Sequence, residues 1–151
     1  MITVVAIGKK HEDWITPGLE RYEKRLRRPF DVAWVLLPHS SLEGVKARLE
    51  ESNRLLARLD DDAFLILLDE TGRQIDSPAL ASLIEECQVN SRRITVVIGG
   101  AYGVDERLQQ RADMVLSLSK LVFPHQLVRL ILLEQLYRCQ EITRGSGYHH
   151  V

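Results

Sequence analysis

The feature that most limits how this chain can fold is a series of five short apolar runs. They are Ile2 to Ile7, Val32 to Leu37, Ala63 to Leu68, Ile94 to Ile98 and Met114 to Leu118. The first four are continuous rather than alternating, the pattern of strands buried on both faces. Between them lie stretches with helical spacing. Thr16-Pro17 reads as an N-cap with proline at the first helical position, and Leu19, Tyr22 and Leu26 form one stripe that stops before Pro29. Ser40-Ser41 can cap a helix from about Leu42 to Leu59. Ser77-Pro78 repeats the cap-and-proline signature ahead of Leu80, Leu83, Ile84 and Cys87. A short helix is expected from about Asp105 to Gln110. This alternation predicts a single α/β domain over residues 1–151, with a mainly parallel sheet of five to six strands and helices on both faces.

A chain of 151 residues buries roughly 68–70% of its unfolded surface, enough for a core without covalent staples. The net charge of −1 gives no global pull toward nucleic acid. Locally the balance differs. Arg21, Lys24, Arg25, Arg27 and Arg28 cluster against Glu20 and Glu23, a group that reads equally as a solvated helix face or as an RNA contact. Cys87 and Cys139 lie far apart with no metal-ligand spacing, so no metal site is expected. No apolar run is long enough to span a bilayer, and no targeting segment is recognised. The expectation is a cytoplasmic protein.

The last helix, roughly Pro124 to Thr143, is apolar on nearly every side through Leu127, Val128, Leu130, Ile131, Leu132, Leu133, Leu136 and Tyr137. A helix packed only on its own sheet needs a single stripe. A second apolar face predicts a symmetric partner copy, hence a homodimer.

Ligands of open α/β sheets bind beyond the carboxyl ends of strands. Three ends here are permissive: Leu68-Asp69, Gly99 to Gly103, and Leu118 to Phe123. Gly99-Gly100 lets backbone approach a flat ring, although Gly-Gly-x-x-Gly alone also describes a turn. It matches neither the dinucleotide fingerprint nor a P-loop. Ser119 to Phe123 mixes polar atoms with apolar side chains, as a nucleoside pocket edge or an ordinary connection would. His125 opens the last helix, where a local hydrogen bond is the simpler role. Beyond it, Gly145-Ser146-Gly147 leads to Tyr148-His149-His150, groups able to stack on a base or take a proton.

Taken together, VVIGGAYG, LSLSKLVFPHQLVRLILLEQLYRCQEI and the terminal GYHH closely resemble the RlmH family of ribosomal RNA methyltransferases, within the SPOUT superfamily. ITVVAIGKKHEDW and FLILLDETGRQ extend the resemblance over essentially the whole chain. The resemblance implies a carboxyl-terminal trefoil knot and a homodimer. It further implies that S-adenosyl-L-methionine is used to methylate N3 of a pseudouridine in 23S rRNA, free or in the ribosome. By the same resemblance, cofactor contacts fall on Leu68, Gly99, Leu118, Ser119, Lys120, Leu121, Val122 and Phe123. RNA contacts fall on His125, Arg129, Arg138, Tyr148 and His149, with Arg144 added as a phosphate-holding group.

An imide N3–H must lose its proton before alkylation. On that chemistry His149 is the expected acceptor, with Tyr148 stacking on or orienting the base, and Arg129, Arg138 and Arg144 holding phosphates or the developing anion. Two rivals share parts of this sequence: a catalytically silent RNA-binding dimer, and a small-molecule enzyme using another nucleotide cofactor.

Overall fold

The computed structural model describes residues 1–150. Five strands form one sheet, all neighbours parallel, in the order β2-β1-β4-β3-β5. They are β1 (Ile2–Ile7), β2 (Val32–Leu37), β3 (Phe64–Arg73), β4 (Ile94–Ile98) and β5 (Met114–Leu116). The helices are α1 (Thr16–Glu23), α2 (Gly44–Leu56), α3 (Ser77–Val89), α4 (Glu106–Arg111) and α5 (His125–Arg144).

The continuous apolar runs are explained by two cores. Alternate strand residues such as Val4, Ala6, Val96 and Ile98 face α1, α3 and α5. Val5, Ile7, Leu65, Leu67 and Val97 face α2 and α4 on the other side. Successive strand side chains point to opposite faces, so a strand covered on both must be apolar throughout. On the first face α5 packs against both α1 and α3. Its Leu132, Leu133, Leu136 and Cys139 are buried, while Leu127, Val128, Leu130, Ile131 and Tyr137 remain partly exposed. Each fully buried leucine contributes about 1.5–3 kcal/mol relative to exposure.

Several boundaries depart from the sequence expectation. β3 runs on through the polar Asp69-Glu70-Thr71-Gly72-Arg73, and Arg73 pairs with Leu116 after a register shift. Gly72 permits this: a Cβ there would collide with the Val115 carbonyl. β5 ends at Leu116, before Leu118. α1 has Ile15 as its cap, and Thr16 instead donates its hydroxyl to the Glu12 carbonyl. α2 starts at Gly44, two residues after Leu42, and lacks a serine cap. In α3 the cap is Asp76, whose Oδ1 accepts from the Ala79 amide at 2.9 Å, whereas the Ser77 hydroxyl donates to Gln135.

Candidate active site

The carboxyl ends of β3, β4 and β5 open into a cavity of about 830 Å³. Leu68, Gly99, Leu118, Ser119, Leu121, Val122 and Phe123 line it, and Lys120 of the expected set does not. His125 also faces it, together with Arg48 of α2 and Gln109 of α4. Its two key walls are rigid turns. In the first, the Gly103 amide donates to the Gly100 carbonyl at 3.0 Å, and Gly103 sits at φ +73°, where glycine carries no Cβ penalty. A Cβ on Gly99 would approach Val104 Cγ1 to 2.9 Å. In the second, Ser117 Oγ donates to the Ser119 carbonyl at 2.8 Å, and the Leu121 amide donates to Ser119 Oγ at 3.0 Å. These bonds hold Leu121 and Val122 outward, 73% and 72% exposed.

His125 begins α5, with its ring 6.0 Å from that of His39. Burial, then the charge of Arg129, then His39, push its pKa below the usual histidine value. Arg129, an RNA contact by the family resemblance, lies inside the subunit here. It is 0% exposed. Nη2 donates to the carbonyls of Ile7 and Gly8 at 2.9 and 3.1 Å, and Nη1 donates to Lys10 at 3.0 Å. Nη1 also lies 3.1 Å from His11 Nδ1, which must therefore accept. Arg129 thereby ties the β1–α1 connection to α5.

The chain end forms a second cluster. Gly145, at φ +70°, closes α5 in the left-handed conformation and turns the tail back. The Tyr148 hydroxyl donates to Glu134 Oε1 at 3.2 Å, and the same oxygen accepts from Arg138 Nε and Nη2 at 3.1 and 2.8 Å. The Arg138 guanidinium lies 4.8 Å from the Tyr148 ring, and its Nη1 is 3.3 Å from His149 Nδ1. Arginine only donates, so Nδ1 accepts and the His149 ring proton sits on Nε2. Burial first, then Glu134, raise the Tyr148 pKa, and the Glu134 hydrogen bond raises that of Arg138. Arg144 is exposed, and among the described residues its side chain reaches only Glu141, at 3.3 Å.

The structure thus gathers most of the expected cofactor residues at one end of α5 and the expected catalytic trio near its other end. At about 1.5 Å per residue, some 20 Å of helix separates His125 from Arg138. One chain does not bring the two sets together. Glu134 was missed from the sequence, although its position one turn before Arg138 on the same face was a usable signal. Among the described residues no His, Cys, Asp or Glu group could hold a metal ion, and no helix is long and apolar enough to cross a membrane.

The cavity thus lies at the carboxyl ends of a parallel sheet, beside the glycine-rich turn after β4, and the family comparisons define the class as a methyltransferase. The family model described as "Predicted SPOUT methyltransferase" matches residues 1–149. The chain is 43% identical to ribosomal RNA large subunit methyltransferase H of Pelotomaculum thermopropionicum, over 99% of this chain and 98% of that protein. It is 39% identical to the protein of the same name from Geobacter metallireducens, over 99% and 98%. For the Neisseria meningitidis protein the identity is 40%, over 98% and 97%. The chain belongs to the RlmH family of SPOUT methyltransferases.

Proposed function

We propose that this chain is a homodimeric, S-adenosylmethionine-dependent methyltransferase acting on N3 of a pseudouridine in 23S rRNA. The observation that carries the reading is the position of two half-sites at opposite ends of one helix, with a partly exposed apolar face between them. Two α5 helices packed antiparallel through Leu127 and Ile131 would set the tail of one copy over the cavity of the other. Each active site would then contain both halves. The relatives named for ribosomal RNA methylation support the substrate class.

The cavity suits the cofactor. It has room for a nucleoside with an amino-acid arm, glycine backbone at Gly99 and Gly100 for close approach to a flat ring, and backbone groups along Leu118 to Phe123. S-adenosylmethionine, when bound, supplies an electrophilic methyl group. The chain's own residues do the rest. Tyr148 orients the base, with Glu134 fixing its hydroxyl. Arg138, held by Glu134, stabilises negative charge growing on the imide. His149 takes the N3 proton once the base displaces Arg138 from its Nδ1. Proton transfer through one positioned group contributes about a hundredfold or more.

RNA grip is assigned to the exposed Arg144 and to Arg21, Lys24, Arg25, Arg27 and Arg28. Among the described residues none of these five pairs with a carboxylate. They adjoin the tail: Gln140 binds the Arg25 carbonyl and the Arg27 amide, and Tyr22 meets Tyr137, which meets Tyr148. The testing experiment is incubation with ribosomes and radiolabelled S-adenosylmethionine, followed by mass spectrometry of the RNA. A 3-methylpseudouridine is expected. Label only on small molecules would support a small-molecule enzyme, and no cofactor binding would leave a silent RNA-binding dimer.

A further inference from the structure

Behind the cavity floor lies a buried carboxylate on α2. Glu51 of α2 is 3% exposed. Its Oε2 accepts from the Ser40 amide at 2.9 Å, and its buried Oε1 has no protein donor. Burying a charged group is costly unless its oxygens are satisfied, so an orphaned one calls for an explanation. Oε1 lies against Gly100: a Cβ built on Gly100 would come within 2.6 Å of it. Gly100 is part of the cavity wall, so the negative charge is separated from the cavity by one residue without a side chain. The next residue of α2, Ser52, is fully buried and accepts the Asp105 amide at 3.0 Å at the far end of the same glycine connection. Two successive polar residues of α2 therefore lie beneath that connection, Ser52 bonded to it and Glu51 beside Gly100. The Glu51 charge also reaches across the floor, where it opposes the depression of the His125 pKa. Arg48 brings a positive charge to the same cavity, but from its wall rather than from behind Gly100.

We infer that Glu51 is an electrostatic positioning residue, whose buried charge makes the cavity select the cationic methyl donor over its neutral spent form. The inference rests on S-adenosylmethionine being the cofactor. Methyl transfer breaks the S–CH3 bond with its electron pair remaining on sulfur, while the deprotonated N3 supplies the pair for the new N–CH3 bond. The sulfonium charge disappears in that step. S-adenosylhomocysteine keeps the adenosine, the amino group and the carboxylate, so it differs from the donor only by that methyl and that charge. A fixed carboxylate in a low-dielectric floor favours the first ligand and is indifferent to the second. The consequence is easier product release and weaker product inhibition.

The experiment is calorimetric titration of wild type and Glu51→Gln with each ligand separately. Glutamine keeps the acceptor for Ser40 and removes the charge. The donor is expected to bind about tenfold more weakly to Glu51→Gln, and S-adenosylhomocysteine within about twofold of wild type. Equal weakening of both ligands would assign Glu51 a purely structural task and overturn the inference, as would unchanged affinity for both. Should Glu51→Gln fail to fold, Glu51→Asp carries the test, since it keeps the charge but withdraws it by one methylene. A smaller loss confined to the donor is then expected, and equal losses would overturn it. Wild type binding neither ligand would instead contradict the cofactor assignment itself, a separate result.

Discussion

The hydroxyl of Tyr148 and the carboxylate of Glu134 are joined at 3.2 Å, on the oxygen that also anchors Arg138. One acidic group on α5 thereby fixes both an aromatic ring and a guanidinium of the tail cluster. Glu134→Gln removes the charge that holds them. Methyl transfer to ribosomes should fall at least about tenfold, the charge-assisted bonds being worth roughly 1.5–3 kcal/mol each. Affinity for S-adenosylmethionine should stay within twofold, because among the described residues Glu134 bonds to Gln135, Arg138 and Tyr148 and to no residue that lines the cavity.

Deleting Tyr148 to Val151 should leave dimerisation and cofactor affinity nearly intact and lower methyl transfer at least about a hundredfold. Gly145-Ser146-Gly147 makes this tail costly to order, which from sequence predicts docking only with substrate present. The structure instead has it already packed on Arg138 and Tyr137. His149→Ala alone should slow the reaction, with partial recovery at higher pH, where less help is needed to remove the N3 proton. A wild-type rate at neutral pH would exclude His149 as the acceptor. Weaker ribosome binding with an unchanged saturated rate would make it a binding residue.

Gly99→Val places a branched side chain at the cavity edge, where even a Cβ meets Val104 at 2.9 Å. The expected outcome is loss of S-adenosylmethionine binding in a protein that still folds, at a stability cost of about 1–3 kcal/mol. Calorimetry and a thermal melt read the two effects separately. Unchanged affinity would rule out this location for the pocket.

Much of the fold was legible because hydrophobic continuity over five runs has few structural solutions. Strand order was not, since parallel pairing leaves no local mark in the sequence. The polar extension of β3 was hidden for a related reason: Asp69 to Arg73 carries no strand pattern, and only Gly72 meeting the Val115 backbone allows it. At α3 two adjacent residues, Asp76 and Ser77, were both competent caps, and the choice fell to Asp76 because Ser77 bonds across to Gln135. Glu51 and Arg129 look like any charged residues on a helix. Their burial depends on what α2 and α5 meet in space, at Gly100 and at the carbonyls of β1.

Arg129 should behave as a stability residue. Arg129→Gln strands carbonyls among those of Ile7, Gly8 and Lys10 and should cost about 1–3 kcal/mol for each one left unsatisfied, read by denaturant unfolding. Salt dependence of RNA binding should not change in protein that remains folded, whereas neutralising Arg21 and Lys24 together should reduce the salt slope by about 1.4, the single-strand value per phosphate contact being about 0.7.

Two histidines predict acid sensitivity. The pKa of His11 is lowered by burial and then by Arg129, and that of His125 by burial, Arg129 and His39. A lowered folded pKa means that the unfolded chain binds more protons as the pH falls below the ordinary histidine value. Stability should therefore decline from about pH 6.5 downward until the folded-state pKa values are passed. His11→Asn keeps an acceptor near Arg129 and cannot take up that proton, so its melting temperature should depend less on pH over this range.

Mixed dimers test most directly whether two copies share each active site, as proposed. Gly99→Val lacks the cavity and His149→Ala lacks the tail acceptor, so each homodimer should be nearly inactive. Co-expressed with different tags and purified as a heterodimer, they should form one site with a wild-type cavity and a wild-type tail. The expected result is methyl transfer to ribosomes at about half the wild-type rate per dimer. A heterodimer as inactive as its parents, with both subunits folded and paired, would mean that each chain must supply both halves and would contradict the account.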